Sequence, residues 1–333
     1  PPEYHLAQYW LEQERYQEES TRGRTRELNL QELEDQLTSA FMSMKLRQGC
    51  FLLAHEAVYK ASYRIALEEA LLELATQLPY RNIPSVSVYL HCYRMLRFPE
   101  EDANFTAFRT RFFQSIGLFP HPELRDLFLL AINFCIRKIN QTAEGYLREA
   151  LELYQKGLET EALLENGILS RFTYNNAIGI ALRLQDLDWA EYFLHHYRPY
   201  LEGEQQEAAF SLNAARLAFA RRQYGQVLAL LQRADYRDLI NNMVAKTLQM
   251  KAYYELDEYD LLEAHLRSMR AFLRRKRRMG YHQQNYLNII RYTQKLLTLN
   301  PMDKEAVKFL EKEIRKTEPL TEKEWLLGKV VKV

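Results

Sequence analysis

The residues best placed to do chemistry are clustered arginines. Between Ala264 and Met302 there is no Asp or Glu, while Arg267, Arg270, Arg274, Arg275, Lys276, Arg277, Arg278, Arg291 and Lys295 are all basic. The chain nets +1, so this window of +9 leaves −8 for the remainder, a strongly dipolar distribution that the overall charge hides. At ~100° per residue on a helix, Arg267, Arg270, Arg274 and Arg278 form a stripe beside the apolar stripe of Leu262, Leu266, Met269 and Leu273. Phe272, Tyr281, Tyr286 and Tyr292 interleave, as do the amides of Gln283, Gln284, Asn285 and Asn288. Three readings follow. The arginines are a solvated face answered by acidic neighbouring helices or by the C-terminal dipole of their own helix. They dock an acidic segment of another protein, since a guanidinium fork fits a carboxylate. Or they grip RNA, DNA or anionic lipid, with aromatics and amides stacking and bonding to bases.

Other chemistry finds few candidates. The chain has no glycine-rich phosphate loop, no Cys-x-x-Cys, no His-Glu-x-x-His and no nucleophile elbow. His195 and His196 are adjacent, so on a helix they diverge and do not chelate one ion together. Glu191 and His195, at i and i+4, share a face, but the sequence nominates no further ligands. Asp186, Asp188 and Glu191 stand at a turn and helix start, where carboxylates serve as caps. The expectation is a non-catalytic chain with no cofactor and no metal.

The elements that must position these residues are helical. The chain has 333 residues, 47% of them hydrophobic and 27% charged, which suits a folded domain and excludes a disordered or generic polyanion-binding one. There are only 11 Gly and 10 Pro, and no proline between Pro122 and Pro199, too few turn residues for a sheet protein. The longest apolar stretch, Leu127 to Ile136, is about half of the ~20 residues a membrane span needs. Cys50, Cys92 and Cys135 are odd in number and set in apolar surroundings, as buried free thiols of a reducing compartment would be. No basic-then-apolar leader opens the chain, and the expected location is cytoplasmic.

One turn recurs in the second half. Arg183-Leu-Gln-Asp-Leu187-Asp-Trp-Ala190 precedes Leu194; Arg221-Arg-Gln-Tyr224-Gly-Gln-Val227 precedes Leu231; Glu255-Leu-Asp-Glu-Tyr259-Asp-Leu-Leu262 precedes Leu266. The anchors Leu187, Tyr224 and Tyr259 are 37 and then 35 residues apart. An apolar helix precedes each turn, with small residues where close packing is needed (Ala177 and Ala181, then Ala214, Ala215 and Ala218), and an amphipathic helix follows it. Asp188 with Glu191, and Asp257 with Asp260, are expected to cap the second helices.

These residues resemble tetratricopeptide repeats. Gly179 stands loosely for the family's first-helix glycine, and its closing proline is missing from most units. The segments Tyr254-Glu-Leu-Asp-Glu-Tyr-Asp260 and Thr321-Glu-Lys-Glu-Trp-Leu-Leu327 are also similar to a group of uncharacterised repeat proteins from Bacteroidota. The first resemblance implies an all-α fold, an α-solenoid of antiparallel helix pairs in a right-handed superhelical stack, acting as a scaffold or adaptor. It also implies that the first helix of each pair lines a concave groove for a partner's extended segment or helix, here offering Asn175, Asn176, Asn213, Arg216, Lys246 and Gln249. Asn176 and Asn213, 37 apart, match asparagines that in the family clamp a peptide's C-terminal carboxylate; Lys246 matches the clamp's basic partner only approximately.

The repeats are read over 143–333, in a repeat domain spanning 119–333 with a C-terminal capping helix, after an irregular helical region at 1–118. In the first part, helices are expected near 3–21, 30–57, 60–78, 84–97, 100–116 and 121–140. Val86-Ser-Val-Tyr89 alternates like a strand but is taken as a helix start. Asn300-Pro301-Met302-Asp303 reads as a helix start with proline at the first position. Thr321 and Glu324 have the spacing of a capping box, and Trp325, Leu326 and Leu327 are expected to close the end of the stack.

Overall fold

A helix that turns back on itself must first satisfy its last carbonyls, and the three recurring turns do so identically. The computed structural model describes residues 1–21, 28–59, 61–141, 143–232, 238–275 and 281–331. At the turns, Gln185, Arg222 and Asp257 adopt left-handed φ values of 59°, 60° and 57°. Their own N–H groups donate to Leu182, Phe219 and Tyr254. The following N–H groups, of Asp186, Gln223 and Glu258, donate back to Ala181, Ala218 and Tyr253 at 3.0, 2.8 and 3.0 Å. This is the Schellman termination, spaced 37 and 35 residues apart like the anchors, which are the first residues of the helices that follow.

The chain divides into two compact units, Pro1–Asn166 and Gly167–Val333. The first holds α1 (Pro2–Thr21), α2 (Leu30–Val58), α3 (Glu68–Leu74), α4 (Pro84–Arg97), α5 (Asp102–Ser115), α6 (His121–Asn140) and α7 (Tyr146–Glu159). The second holds α8 (Arg171–Arg183), α9 (Leu187–His196), α10 (Gly203–Ala220), α11 (Tyr224–Leu231), α12 (Leu239–Glu255), α13 (Tyr259–Arg275), α14 (Tyr281–Thr298), α15 (Lys304–Lys316) and α16 (Lys323–Val330). The architecture is all-helical, and helices near in sequence pack together: α1 on α2, α2 on α4, α4 on α5 and α6 on α7, then α8 on α9 and α10, and onward from α10 to α14. Such packing is compatible with a helical repeat. Two two-residue strands, β1 (Leu164–Glu165) and β2 (Ile168–Leu169), flank the Asn166-Gly167 turn, a small departure from the purely helical expectation.

In the first unit, α4 takes in Val86–Tyr89, whose residues are all buried, as expected. Gly49 of α2 allows the close approach of α4: a Cβ there would lie 2.6 Å from the Tyr93 ring. The helix expected over 60–78 shrinks to α3, because Leu67 at the N-cap is left-handed and the chain before it runs without regular structure. Tyr89 donates its hydroxyl to Glu123 Oε1 at 2.6 Å in the interior, with Arg47 at 3.7 Å from the same oxygen. All three cysteines are free and buried.

In the second unit, one core gathers Leu212, Ala215, Ala218, Val227, Leu231 and Leu248 from α10 to α12. The next gathers Met243, Met250, Leu262, Leu266, Met269 and Leu273 with Ile289 and Ile290 of α14, Leu310 and Ile314 of α15, and Leu326 and Leu327 of α16. The expected apolar stripe of α13 is fully buried. In α16, Trp325 donates to Glu255 at 2.8 Å and packs edge-on against Tyr254, while Lys329 reaches the same carboxylate.

Four expectations about helix starts and caps are corrected. The α9 cap is Asp186, accepting from Trp189 N at 3.2 Å, because Asp188 is already inside the helix. The carboxylate of Asp257 is taken by the Tyr259 hydroxyl at 2.6 Å. Proline 301 lies in a turn held by the Asn300 side chain, and α15 begins only after Asp303, which accepts from Glu305 and Ala306. Thr321 and Glu324 form no capping box: Glu322 occupies the N-cap in a left-handed conformation and spends its carboxylate on Lys251, at 2.7 Å.

Two measurements test this account. Arg222 is exposed and left-handed, so Arg222→Gly is expected to raise stability by about 0.5–1 kcal/mol, and Arg222→Val to lower it, in urea titrations. Burial, ahead of repulsion from Glu3, raises the Glu123 pKa above its ordinary 4.5 against the opposing Tyr89 hydrogen bond and Arg47 charge. A raised carboxyl pKa costs stability as pH climbs through the folded-state value. Glu123→Gln should therefore be more stable than the native chain at neutral pH, with the advantage vanishing as pH falls to about 4.5.

Candidate binding surfaces

The amphipathic pattern of α13 turns its leucines and Met269 inward and leaves Arg267, Arg274 and Arg275 exposed and Arg270 half-buried. Together with Ala271 these arginines line an open concavity of about 650 Å³. Arg267 faces Glu263 one turn earlier at 3.5 Å, and Arg270 donates to the Gln294 amide oxygen at 2.6 Å. Among the described residues, Arg274 and Arg275 have no carboxylate partner. Arg277 and Arg278 lie outside the described residues.

The remaining cations of the acid-free window behave differently. Arg291 and Lys295 of α14 both reach Glu313 of α15, Arg291 at 3.2 Å. The reading of a solvated face answered by an acidic neighbour thus holds for α14. Of the interleaved aromatics, Tyr286 and Tyr292 are buried, and the Tyr292 hydroxyl meets Thr317 at 2.5 Å. Phe272 is half-buried under the Lys246 ammonium, 5.6 Å from the ring centre. Of the amides, Gln284 donates to Asn288 at 2.9 Å and Asn288 to the Pro319 carbonyl at 2.8 Å, while the buried Asn285 Oδ1 has no partner among the described residues.

The expected groove residues separate into two groups. Asn213 is fully buried and donates to Asn175 Oδ1 at 2.6 Å and to the Ala209 carbonyl at 2.9 Å, while accepting from Arg216 Nη1 at 3.1 Å. Its partner on α8 is Asn175; Asn176, its repeat equivalent, is exposed and stands outside this network. Burial holds the Arg216 guanidinium below its ordinary pKa, opposed by the charge of Glu322. On α12, Lys246 is half-buried, its pKa lowered by burial and then by Arg275, which brings it to the rim of the α13 arginine face. Gln249 is half-buried on the same helix.

Sequence reasoning passed over Lys251, which stands 35 residues after Arg216 in the repeat register and pairs with Glu322. The signal was present as the same 35-residue spacing that separates Tyr224 from Tyr259. Arg216 and Lys251 thus send buried-side cations toward one carboxylate of the α16 N-cap.

Glu191 is held by both guanidinium nitrogens of Arg221 at 2.8 and 2.7 Å, while His195 packs against the Phe210 ring. Among the described residues no three His, Cys, Asp or Glu side chains converge as a metal site. None of the described helices is long and apolar enough to cross a membrane. Comparison with known proteins finds no matching family model, no matching curated sequence and no matching solved structure. The class defined on these grounds is an all-helical protein whose successive helices pack on one another, compatible with a helical repeat.

The buried Asn213 network makes a clear demand. Asn213→Ala removes the acceptor of a desolvated guanidinium hydrogen bond and should cost about 1–3 kcal/mol in urea unfolding. A neutral result would mean that Asn213 is not part of the structural framework.

Proposed function

We propose that this chain is a tetratricopeptide-like α-solenoid, a right-handed stack of antiparallel helix pairs, and that it serves as a non-catalytic scaffold. It binds an acidic segment of another protein along the arginine face of α13, with the groove formed by the first helices alongside. The supporting observation is the set of four arginines, Arg267, Arg270, Arg274 and Arg275, around one open concavity with a carboxylate facing only the first among the described residues. Guanidinium groups left without carboxylates offer bidentate sites to an acidic partner, and a preformed helical surface binds with little ordering cost. Asn176, Lys246 and Gln249 are the groove positions left at least partly open to that partner. Three buried free thiols suit a reducing, cytoplasmic setting.

Binding of RNA or DNA by the same face has less support, because Tyr286 and Tyr292 are packed in the core and offer no stacking platform. Fluorescence anisotropy separates the two. A labelled helical peptide with a Glu-rich face is expected to bind the native chain more tightly than a labelled single-stranded RNA of equal charge. Changing Arg267, Arg270, Arg274 and Arg275 to Glu should weaken the peptide at least tenfold, since several charge-assisted bonds are lost together. Tighter RNA binding, with a steep salt dependence, would transfer the face to nucleic acid; unchanged peptide affinity in the variant would remove it from function.

A further inference from the structure

A second basic site lies in the first unit and uses none of the residues of the proposed docking face. Two concavities, of about 300 and about 780 Å³, share His91 and Arg111 in their walls. Ser87, His91 and Arg94 fall at i, i+4 and i+7 on α4 and so share one face. Arg111 comes from α5, which packs on α4, and the larger concavity continues along α5 past Thr110 and Thr106. Arg81 and Asn82, from the short 3-10 turn Tyr80–Asn82 ahead of α4, close one end of the smaller.

The charge around this space is one-sided. No Asp or Glu lines either concavity. Neighbouring arginines on other faces are answered: Arg97 meets Glu68 at 3.1 Å, and Arg109 is held by Glu149 and Glu152. Among the described residues Arg81, Arg94 and Arg111 have no such partner. His91 and Arg94 are half-buried, so part of this positive charge is held away from bulk water without an acceptor. Burial, followed by the charges of Arg94 and Arg111, lowers the His91 pKa, as expected of an imidazole facing two guanidinium groups.

We propose that this concavity binds a phosphate group, free or carried on a small ester. Three guanidinium groups with the Asn82 amide and Ser87 hydroxyl supply more donors than the two oxygens of a carboxylate accept. A phosphate offers three terminal oxygens and a charge near about −2. A bound dianion also offsets the arginine charges on His91 and favours its protonated, donating form. The walls contain no Phe, Tyr or Trp to stack a base, and the smaller concavity, where the three arginines meet, is at the small end of ligand pockets.

Isothermal titration calorimetry of the full chain at constant ionic strength tests this, with inorganic phosphate, glycerol 3-phosphate and the dicarboxylate succinate as probes. Saturable binding of at least one phosphate probe is expected, with succinate at least tenfold weaker. The tighter of the two phosphate probes identifies the source, and either ranking supports the site. Arg94→Gln should weaken the phosphate probe at least tenfold. The double variant Arg81→Gln with Arg111→Gln, at two exposed positions, should do the same with unchanged far-UV circular dichroism. The His91 ring protons should shift on titration in the native chain. No phosphate binding up to millimolar concentration, equal affinity for succinate, or unchanged affinity in both variants would overturn the assignment.

Discussion

Everything in the second unit depends on how its first helices end. A helix leaves its final carbonyls without partners, and at Leu184, Arg221 and Leu256 the next residue swings into the left-handed region so that two N–H groups can return to them. None of the three left-handed residues is glycine. Each accepts roughly 1–2 kcal/mol of steric cost, which the paired hydrogen bonds and the packing of the following helix must offset. The turn leaves three residues between helices, so the second helix starts in a fixed rotation relative to the first. That rotation carries Val227 and Leu231 into one core and Leu262, Leu266, Met269 and Leu273 into the next. The arginine stripe on α13 is the opposite consequence of the same rotation.

The acid-free stretch from Ala264 to Met302 splits into two electrostatic regimes once folded. On α14, Arg291 and Lys295 converge on Glu313 and are neutralised locally. On α13 the only described carboxylate in ion-pair range is Glu263, one turn away and exposed, where such a pair contributes at most about 1 kcal/mol. Deeper in the unit the arrangement reverses, with Lys251 bound to Glu322 and Arg216 feeling the same charge. Buried cations are paired because an unpaired one is costly to desolvate. The exposed Arg274 and Arg275 on α13 have no described carboxylate partner, because water already solvates them and nothing in folding requires an acceptor.

Much of this could be read from the sequence, for identifiable reasons. The spacing of Leu187, Tyr224 and Tyr259 marked three turns between helices, because the turn is a local structure with a local pattern; that the helices begin at these anchors themselves was not part of the expectation, which put caps at Asp188 and Asp257. The core stripe of α13 was legible because apolar periodicity determines which face is buried. The caps were less legible. Asp186 and Asp188 are chemically equivalent candidates, and only the backbone path decides which stands outside the helix. The 60–78 segment has helical composition but loses its first turns to the left-handed Leu67, which no composition signals. Asn213 looked like a groove residue because its helix was expected to line one; its burial is set by α8, through Asn175, a contact 38 residues away in sequence.

The same limit explains why the basic concavity of the first unit escaped notice. Arg81, Arg94 and Arg111 are scattered over 31 residues, each in a stretch of ordinary charge, and no run or motif joins them. They meet because α4 packs on α5 and the 3-10 turn places Arg81 at the end of that seam. A charge run announces itself in sequence yet can be neutralised once folded, as Arg291 and Lys295 are by Glu313. Convergence across elements is silent in sequence and appears only when helices pack. The two basic surfaces therefore differ in kind: the α13 face is a linear array along one helix, whereas the α4–α5 site gathers donors around a concavity, and the proposed partners, an extended or helical segment and a compact anion, follow from that difference.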